Sequence, residues 1–277
     1  MTPLKIGAAL MVADLPRFRD WLIADQRDLE LQDFLLPEVL LGDWPGRVAA
    51  ARTHLDGFEG RLGIHGPFYD LALDTADPEI APIVARRYVS GVRAAAALGA
   101  SQMVIHSPYS TWDWFNFGNN PRIGATPAAA ERKIDAVHAI LREAVALAEA
   151  EGITLVIENI EDIDPRFRRD LASSFGSDAV KLSIDTGHAH YAHGATGAPP
   201  VDYFIADAGP LLAHVHLQDA DGFADRHWAP GRGTVNWHAV FAAIAALPQR
   251  PHLVLELREA ADIPVAMDYL SGQGLAR

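Results

Sequence analysis

Short runs rich in valine, isoleucine and leucine recur along the chain, and several of them end on a charged or imidazole side chain. Runs such as TLVIE, VKLSID and HLVLE predict strands that are buried on both faces, as in a parallel sheet. A carboxylate or imidazole that closes such a strand has no packing role there. Six runs end in this way, at His65, His106, Glu158, Asp185, His216 and Glu256. Their common position predicts a shared polar site at one end of the sheet.

Segments with the helical spacing of apolar residues separate these strands. The predicted strands cover residues 5–10, 28–34, 61–65, 102–106, 153–158, 180–185, 211–217 and 252–257. The predicted helices cover residues 14–24, 45–55, 78–98, 127–151, 165–174, 201–208, 237–247 and 261–270. The clearest helix has Thr126 as its N-cap, Pro127 at its first position and Gly152 just past its end.

Eight strands alternating with eight helices, at about 35 residues for each pair, are the pattern of a (β/α)₈ barrel. We therefore expect an α/β protein in which residues 1–277 form a single TIM-barrel domain. A doubly wound open sheet is the alternative, and it is disfavoured because no glycine-rich phosphate-binding loop follows the first strand. Long loops at residues 107–125, 187–200 and 218–233 would lie at the C-terminal face of the barrel, where catalytic sites are built.

Composition and charge narrow the classes of function. With 49% apolar residues and no linker-like stretch, the chain can build one large core. A formal charge of −13 disfavours nucleic acid as a partner. The absence of cysteine excludes disulfides and thiolate metal sites. No signal-peptide pattern and no membrane-length apolar run is present, so we expect a soluble, cytoplasmic protein.

The residues that end the strands have the chemistry of a divalent-metal site. Carboxylates combined with imidazoles suit Mn²⁺, Mg²⁺, Co²⁺ or Zn²⁺. A lone histidine at a strand end is more often a hydrogen-bonded core residue. Buried carboxylates, however, are rarely unpaired unless they bind a metal. The predicted ligands of one ion are Glu158, Asp185, His216 and Glu256.

Further residues of the same types enlarge this candidate site. His188 lies about one turn beyond the carboxylate in DTGHAH, and Asp225 and His227 form an Asp-x-His pair whose side chains face the same way. His65 and His106 complete a set of nine potential ligands. One ion is the favoured prediction, and up to three ions are the alternative.

Several motifs resemble those of the xylose isomerase-like TIM-barrel superfamily, which includes sugar phosphate isomerases and epimerases and the endonuclease IV family. The matching motifs are IEN (157–159), DTGHA (185–189), HVHLQD (214–219), DRHWAPGRGTVNW (225–237) and LELRE (255–259), with HGPF at His65 and IHS at His106. The resemblance implies a metal-dependent isomerase or epimerase that acts on a sugar, a sugar phosphate or a related polyhydroxy carbonyl compound.

The resemblance also implies roles for individual residues. In an isomerase-type site the ion polarises adjacent carbonyl and hydroxyl oxygens of the substrate. Glu158 and Glu256 would exchange a proton with the substrate as acid and base, through a metal-stabilised enediolate. His188 would hydrogen-bond a substrate oxygen, and Arg232 is a candidate contact to a hydroxyl or phosphate group.

A different member of the superfamily offers a competing interpretation. The nine potential ligands also have counterparts in the endonuclease IV pattern, a trinuclear zinc site that hydrolyses DNA at abasic positions. Two of the long loops argue against it, because 107–125 has Arg122 as its one basic residue and 187–200 has no Lys or Arg. A metal-dependent dehydratase or lyase on a sugar-like acid, and a non-catalytic binding module, are the remaining alternatives.

An aromatic cluster follows the strand that ends at His106. It consists of Tyr109, Trp112, Trp114, Phe115 and Phe117. Such side chains can stack on a sugar or close a lid over a metal site, and we predict substrate contacts for Trp112 and Trp114. Wedging of unstacked DNA bases and packing against another subunit of a homo-oligomer are the alternatives.

Overall fold

The computed structural model describes residues 2–116 and 127–277. Eight strands alternate with helices: β1 (Gly7–Leu10), β2 (Leu29–Leu31), β3 (Leu62–His65), β4 (Gln102–His106), β5 (Thr154–Glu158), β6 (Val180–Asp185), β7 (Leu212–Leu217) and β8 (His252–Leu255). The α-helices are α1 (Leu15–Ala24), α2 (Pro37–Leu41), α3 (Trp44–His54), α4 (Ala81–Leu98), α5 (Thr111–Asn116), α6 (Pro127–Glu151), α7 (Pro165–Ser174), α8 (Thr186–Thr196), α9 (Val201–Ala208), α10 (Trp237–Ala246) and α11 (Ile263–Gly272).

The sheet closes into a barrel, which confirms the predicted fold. Each strand pairs in parallel with the next one along the chain, and β8 pairs in parallel with β1. Successive residues of a strand face opposite sides of the sheet. Ile105 and Ile157 belong to the main hydrophobic core between sheet and helices, whereas Val104 and Val156 are buried outside that core, in the barrel interior. The barrel interior is therefore distinct from the hydrophobic layer between the sheet and the helices.

The predicted strands are all present, with small shifts at their ends. Three predicted helices, α6, α7 and α9, coincide with the observed ones. Gly152 follows α6 with a φ of 68°, a left-handed conformation that suits the residue after a helix. The predicted N-cap Thr126 lies outside the described residues. No helix within 2–116 or 127–277 combines the length and the hydropathy that a membrane span requires.

The loop predicted at residues 187–200 is wrong, because α8 occupies most of it. Asp185 ends β6 and also caps this helix: its Oδ1 accepts a hydrogen bond from the backbone N–H of His188 at 2.6 Å. The predicted loop at residues 107–125 likewise contains the short helix α5. The carboxylate that ends β6 thus turns the chain directly into a helix, and this places His188 over the mouth of the barrel.

Candidate metal centre and active site

The pairing of the strands gathers the strand-end residues at the C-terminal mouth of the barrel. His106 is the register partner of Glu158 across β4 and β5. Asp185 is the register partner of His216 across β6 and β7. Glu256 follows the last residue of β8. Because all the strands run parallel, these side chains meet at one end of the barrel.

The four residues predicted to bind one ion form a compact group, which we call the central cluster: Glu158, Asp185, His216 and Glu256. Each residue offers one potential ligand atom, these atoms lie within 4.8 Å of one another, and all four residues are buried. His216 Nδ1 lies 2.9 Å from Glu158 Oε1 and 3.3 Å from Glu256 Oε2. Three carboxylates and one imidazole at this spacing offer the donor set of a divalent-metal site.

The central cluster contains buried acceptors that the described protein atoms leave unsatisfied. Glu158 Oε2 and Asp185 Oδ2 are both buried, and neither has a hydrogen-bond partner in the described part of the chain. Buried polar atoms are normally hydrogen-bonded, and burying an unpaired charged oxygen is costly. A divalent cation held by the central cluster would satisfy both oxygens. The residues present therefore fit such an ion.

Two outer clusters of potential ligands flank the central one: the first is His65, His106 and Glu158, and the second is His188, Asp225 and His227. In the first, the two histidine Nε2 atoms lie 3.6 and 3.8 Å from Glu158 Oε2. In the second, Asp225 Oδ1 lies 3.6 Å from His188 Nε2 and 3.1 Å from His227 Nε2. The nine residues predicted from the sequence thus form one connected site, and Glu158 belongs to two of its clusters.

Two amide side chains that sequence reasoning did not single out hold these clusters in position. Asn159 accepts a hydrogen bond from the N–H of Asp185 at 2.8 Å and donates to its carbonyl oxygen at 3.0 Å. Gln218 Nε2 donates to Asp185 Oδ1 at 3.0 Å and to Asp225 Oδ1 at 3.1 Å. Gln218 Oε1 also accepts from the N–H of His227 at 3.0 Å. Gln218 therefore joins the central cluster to the second outer cluster.

A buried carboxylate in β2 was also missed. Glu30 is 2% exposed, and its Oε1 lies 3.0 Å from His216 Nε2, on the side of the ring away from the central cluster. The signal was its position between Leu29 and Leu31, which both face the helices and belong to the hydrophobic core. Alternation along the strand then requires Glu30 to face the barrel interior. The contact with His216 depends on closure of the barrel, which brings the inward-facing side chains of β2 and β7 together.

In the absence of an ion, the carboxylates and imidazoles of the site stabilise one another's charges. Burial raises the pKa of Glu158, but the neighbouring histidines, first His216 and then His65 and His106, together outweigh burial and hold that pKa well below its usual range. Burial raises the pKa of Asp185 to about 6. For His227, burial lowers the pKa, but the hydrogen bond to Asp225 and the surrounding carboxylates raise it overall to about 9. Neighbouring carboxylates likewise raise the pKa of His216, and a cation bound by the central cluster would replace the proton on that histidine.

A cavity of about 630 Å³ opens above the three clusters. Gln32 lines it and donates from Nε2 to Glu256 Oε1 at 2.6 Å. Phe68 and Tyr69, from the segment after β3, supply aromatic walls, and Phe68 stacks on the ring of His106 with a centroid separation of 4.0 Å. Among the described lining residues, Arg258 is the one arginine or lysine. This volume is adequate for a small polyhydroxy compound.

The substrate contacts predicted outside the clusters do not line this cavity. Arg232 pairs with Asp262, donating from Nη2 to Oδ1 at 2.9 Å. Trp112 and Trp114 lie on α5 and are 65% and 38% exposed. Their roles stay predictions, and Phe117 lies outside the described residues. The arginine that does face the cavity, Arg258, follows Glu256 by two residues, so the alternation of an extended chain could have indicated it.

Comparison with known proteins places this geometry in a family. The sequence model described as xylose isomerase-like TIM barrel matches residues 40–272. An uncharacterised protein of Methanocaldococcus jannaschii is 23% identical over 190 residues, which cover 66% of this chain and 59% of that protein. A protein of Sinorhizobium fredii is 32% identical over 164 residues, covering 58% of this chain and 49% of that protein. The chain thus spans about half to three fifths of the length of these curated relatives.

Solved structures match over almost the whole chain. A protein of Thermus thermophilus, soaked with ZnCl₂, is 26% identical, with a TM-score of 0.72 and 97% of each chain covered. A D-tagatose 3-epimerase-like protein is 20% identical, with a TM-score of 0.76, covering 97% of this chain and 96% of that one. The second likeness concerns the fold alone. Because the family model matches most of the chain, this chain belongs to the xylose isomerase-like TIM-barrel family.

Proposed function

We propose that this protein is a divalent-metal-dependent isomerase or epimerase of a sugar, a sugar phosphate or a related polyhydroxy carbonyl compound. The observation that carries the proposal is the position of Glu158 and Glu256. Both carboxylates contact His216 Nδ1 within the central cluster, and both line the same cavity. Two carboxylates beside one substrate site can remove a proton from a carbon and return one to it. Structural neighbours named L-ribulose 3-epimerase and D-psicose 3-epimerase support the same class of reaction.

The two glutamates would divide the proton transfers between them. The central cluster would hold a divalent ion, whose Lewis acidity would polarise adjacent carbonyl and hydroxyl oxygens of a substrate. One glutamate then takes the proton from the carbon beside the carbonyl, giving an enediolate form of the substrate, and the other returns a proton. Gln32 holds Glu256 by donating to its Oε1, so that the carboxylate keeps one orientation toward the cavity. General acid–base help of this kind contributes about 10²–10⁴-fold to a rate.

Two further residues would orient the substrate. His188 lines the cavity, and its Nδ1 lies 3.0 Å from the carbonyl oxygen of Asn159, so Nε2 is left to face the second outer cluster and the substrate. Arg258 lines the cavity at its mouth and is solvent-exposed. Its guanidinium would bind a hydroxyl or phosphate oxygen, the role predicted from the sequence for Arg232.

The second candidate is a zinc-dependent phosphodiesterase that acts on abasic DNA. The observation that favours it is the presence of three adjoining clusters of potential ligands, which together suit up to three ions. Contact with a DNA backbone requires several basic side chains around the site. The described lining of the cavity offers Arg258 alone for this purpose, against Glu158, Asp225 and Glu256. Charge therefore favours the small-molecule reaction.

The decisive experiment measures exchange of substrate hydrogen with solvent deuterium. Purified protein loaded with Mn²⁺, Co²⁺ or Zn²⁺ is incubated in D₂O with a panel of ketoses, aldoses and their phosphates, and NMR follows the proton next to the carbonyl. We expect metal-dependent exchange and a new isomer or epimer. Glu158→Gln and Glu256→Gln should each abolish product formation. Glu149→Gln, on α6 where Glu149 contacts Ser177, is the matched control and should retain activity.

The same protein is tested in parallel against a duplex that contains one abasic position. An intact duplex together with sugar turnover supports the proposal. Cleavage of the duplex with no exchange on any sugar would overturn it in favour of the phosphodiesterase. Elemental analysis of protein purified without added metal is the accompanying measurement, since one ion per chain favours the isomerase and three zinc ions favour the nuclease-like centre.

A further inference from the structure

We propose that Glu30 is a positioning residue for the metal centre: it orients His216 so that Nδ1, and not Nε2, is the nitrogen offered to a bound ion. The proposal rests on the proposed metal-dependent function, and it assigns a task to a carboxylate outside the predicted ligand set. Glu30 lies in β2, and its register partners are Ala9 in β1 and Gly63 in β3. These small partners leave room for its side chain in the barrel interior.

The two nitrogens of His216 face two different groups of carboxylates. Nδ1 faces the central cluster, at 2.9 Å from Glu158 Oε1 and 3.3 Å from Glu256 Oε2. Nε2 faces the barrel interior, at 3.0 Å from Glu30 Oε1. A neutral imidazole carries its proton on one nitrogen and its lone pair on the other. When Nε2–H donates a hydrogen bond to Glu30 Oε1, the lone pair is left on Nδ1, where an ion would bind.

A second histidine holds Glu30 itself. Glu30 Oε2 lies 3.3 Å from His214 Nε2, and His214 Nδ1 lies 2.8 Å from Ser183 Oγ. The rings of His214 and His216 are perpendicular, with centroids 4.6 Å apart, so Glu30 is held between their edges. All four residues are at most 2% exposed. This chain of contacts runs from the central cluster through three strands; the hydrogen bond between Glu30 and His216 Nε2 is its central link, and His214 packs beside the other oxygen of Glu30.

Glu30 could instead be a metal ligand, since Glu30, His214 and His216 also place potential ligand atoms within 4.8 Å of one another. The partners of the carboxylate oxygens argue against that role. Each oxygen of Glu30 has a histidine nitrogen within 3.3 Å. In contrast, one oxygen each of Glu158 and Asp185 is buried without a partner among the described residues. His214 Nε2 is also buried without a hydrogen-bond partner among the described residues, but the unsatisfied carboxylate oxygens belong to the central cluster, which His216 faces with Nδ1.

The general behaviour of metal sites sets the expected size of the effect. A metal-binding histidine usually donates its other N–H to a carboxylate or carbonyl group, and loss of that partner typically lowers metal affinity by about 10–100-fold. Glu30→Gln keeps the size of the side chain and one acceptor oxygen but removes the charge. Glu30→Leu removes the acceptor altogether. We therefore expect the affinity for the ion to fall in the order wild type, E30Q, E30L.

The test is a titration of wild type, E30Q and E30L with Co²⁺. Calorimetry measures the affinity, and the visible absorption of bound Co²⁺ reports its coordination. We expect E30L to bind Co²⁺ about 10–100-fold more weakly than wild type. The number of ions at saturation should be unchanged, and the visible bands should shift. The matched control is Asp28→Asn. This change removes a buried carboxylate that lies two residues before Glu30 and pairs with Arg61, away from the metal centre. It should lower stability and leave the Co²⁺ affinity of the folded protein unchanged.

Two results would overturn the proposal. Wild-type affinity and an unchanged spectrum in E30L would show that Glu30 does not orient His216. The loss of one ion at saturation would make Glu30 a ligand. If both Glu30 variants fail to fold, Ser183→Ala decides, because loss of the Ser183–His214 contact should weaken Co²⁺ binding to a smaller extent, and unchanged binding would contradict the proposal. Since none of these measurements uses turnover, they stay valid if every sugar and sugar phosphate proves not to be a substrate.

Discussion

Buried carboxylates occur at both ends of this barrel, and they differ in the groups that pair with them. At the base, Asp28 is 1% exposed and receives hydrogen bonds from Arg61 at 2.7 and 2.6 Å and from the N–H of Leu253 at 2.9 Å. At the mouth, three carboxylates of the central cluster have no lysine or arginine within 4.0 Å among the described residues. The carboxylate at the base is satisfied by protein groups, whereas two carboxylates at the mouth keep buried oxygens that the proposed cation would satisfy.

This difference separates a structural use of buried charge from a functional one. A buried carboxylate that an arginine satisfies stabilises one arrangement of strands and offers nothing to a ligand. A buried carboxylate with an unsatisfied oxygen is costly to the fold and becomes favourable when an ion binds. The comparison therefore predicts that changes at the base alter stability, and that changes at the mouth alter metal binding and catalysis.

The largest expected effect comes from removing one charge at each end. Glu158→Gln should lower turnover by about 10²–10⁴-fold or more, because Glu158 is both a proposed acid–base group and a proposed ligand. Asp28→Asn should lower the free energy of unfolding by about 1–3 kcal/mol, because buried donors lose their charged acceptor. Steady-state kinetics and urea unfolding of both variants are the measurements. Equal losses of activity in the two variants would remove the distinction between base and mouth.

Metal binding should strengthen as the pH rises. In the absence of an ion, burial lowers the pKa of His216, the one imidazole of the central cluster, but Glu256, Glu30 and Glu158 raise it overall well above its usual value. Each proton that must leave when the ion binds increases the affinity by about tenfold per pH unit below its pKa. Calorimetric titrations with Mn²⁺ between pH 6 and 9, in buffers of different ionisation enthalpy, measure both the affinity and the protons released. An affinity that does not change with pH would contradict the proposed ligand set.

The stability of the protein without metal should change with pH in the opposite direction. A raised histidine pKa stabilises the fold fully below the ordinary value of 6.5, and that stabilisation is lost as the pH rises through about 9. Added metal should therefore raise the melting temperature more at pH 9 than at pH 6.5. The gain is about 2.7 kcal/mol when free metal is 100 times the dissociation constant. Melting curves with and without chelator test this expectation, and a larger effect of metal at the lower pH would refute it.

The smallest expected effect distinguishes two arginines at the mouth. Arg258→Leu should raise the KM for the substrate by at most about tenfold, with little change in kcat, because an exposed charged contact is worth about one kcal/mol. Arg232→Leu should leave KM close to the wild-type value, since that side chain pairs with Asp262 outside the cavity. Kinetics with a sugar and its phosphate measure both. A larger effect at Arg232 would restore the contact predicted from the sequence.

Much of the fold and of the candidate site could be predicted because both depend on local patterns. An apolar run that ends in a carboxylate, such as TLVIE at Glu158, identifies a buried strand and a group that packing does not explain. Helix α8 could not be predicted in this way, because its sequence TGHAHYAHGAT has no strong apolar stripe. It forms after Asp185, whose side chain caps its first turn. The cap and the candidate ligand are the same residue, and the pattern of apolar positions carries no sign of that double role.

The pattern of apolar and polar residues predicts that eight strands alternate with helices and that nine potential metal ligands lie at or after the ends of the strands. Three features appear first in the folded barrel: the nitrogen of His216 that faces the central cluster, the position of Glu30 behind that ring, and the place of Arg258 in the cavity lining. The physical reason is closure of the barrel. Parallel pairing brings the ends of all eight strands to one mouth and turns alternate residues inward, so contacts between distant strands arise from register, which no single segment of the chain encodes.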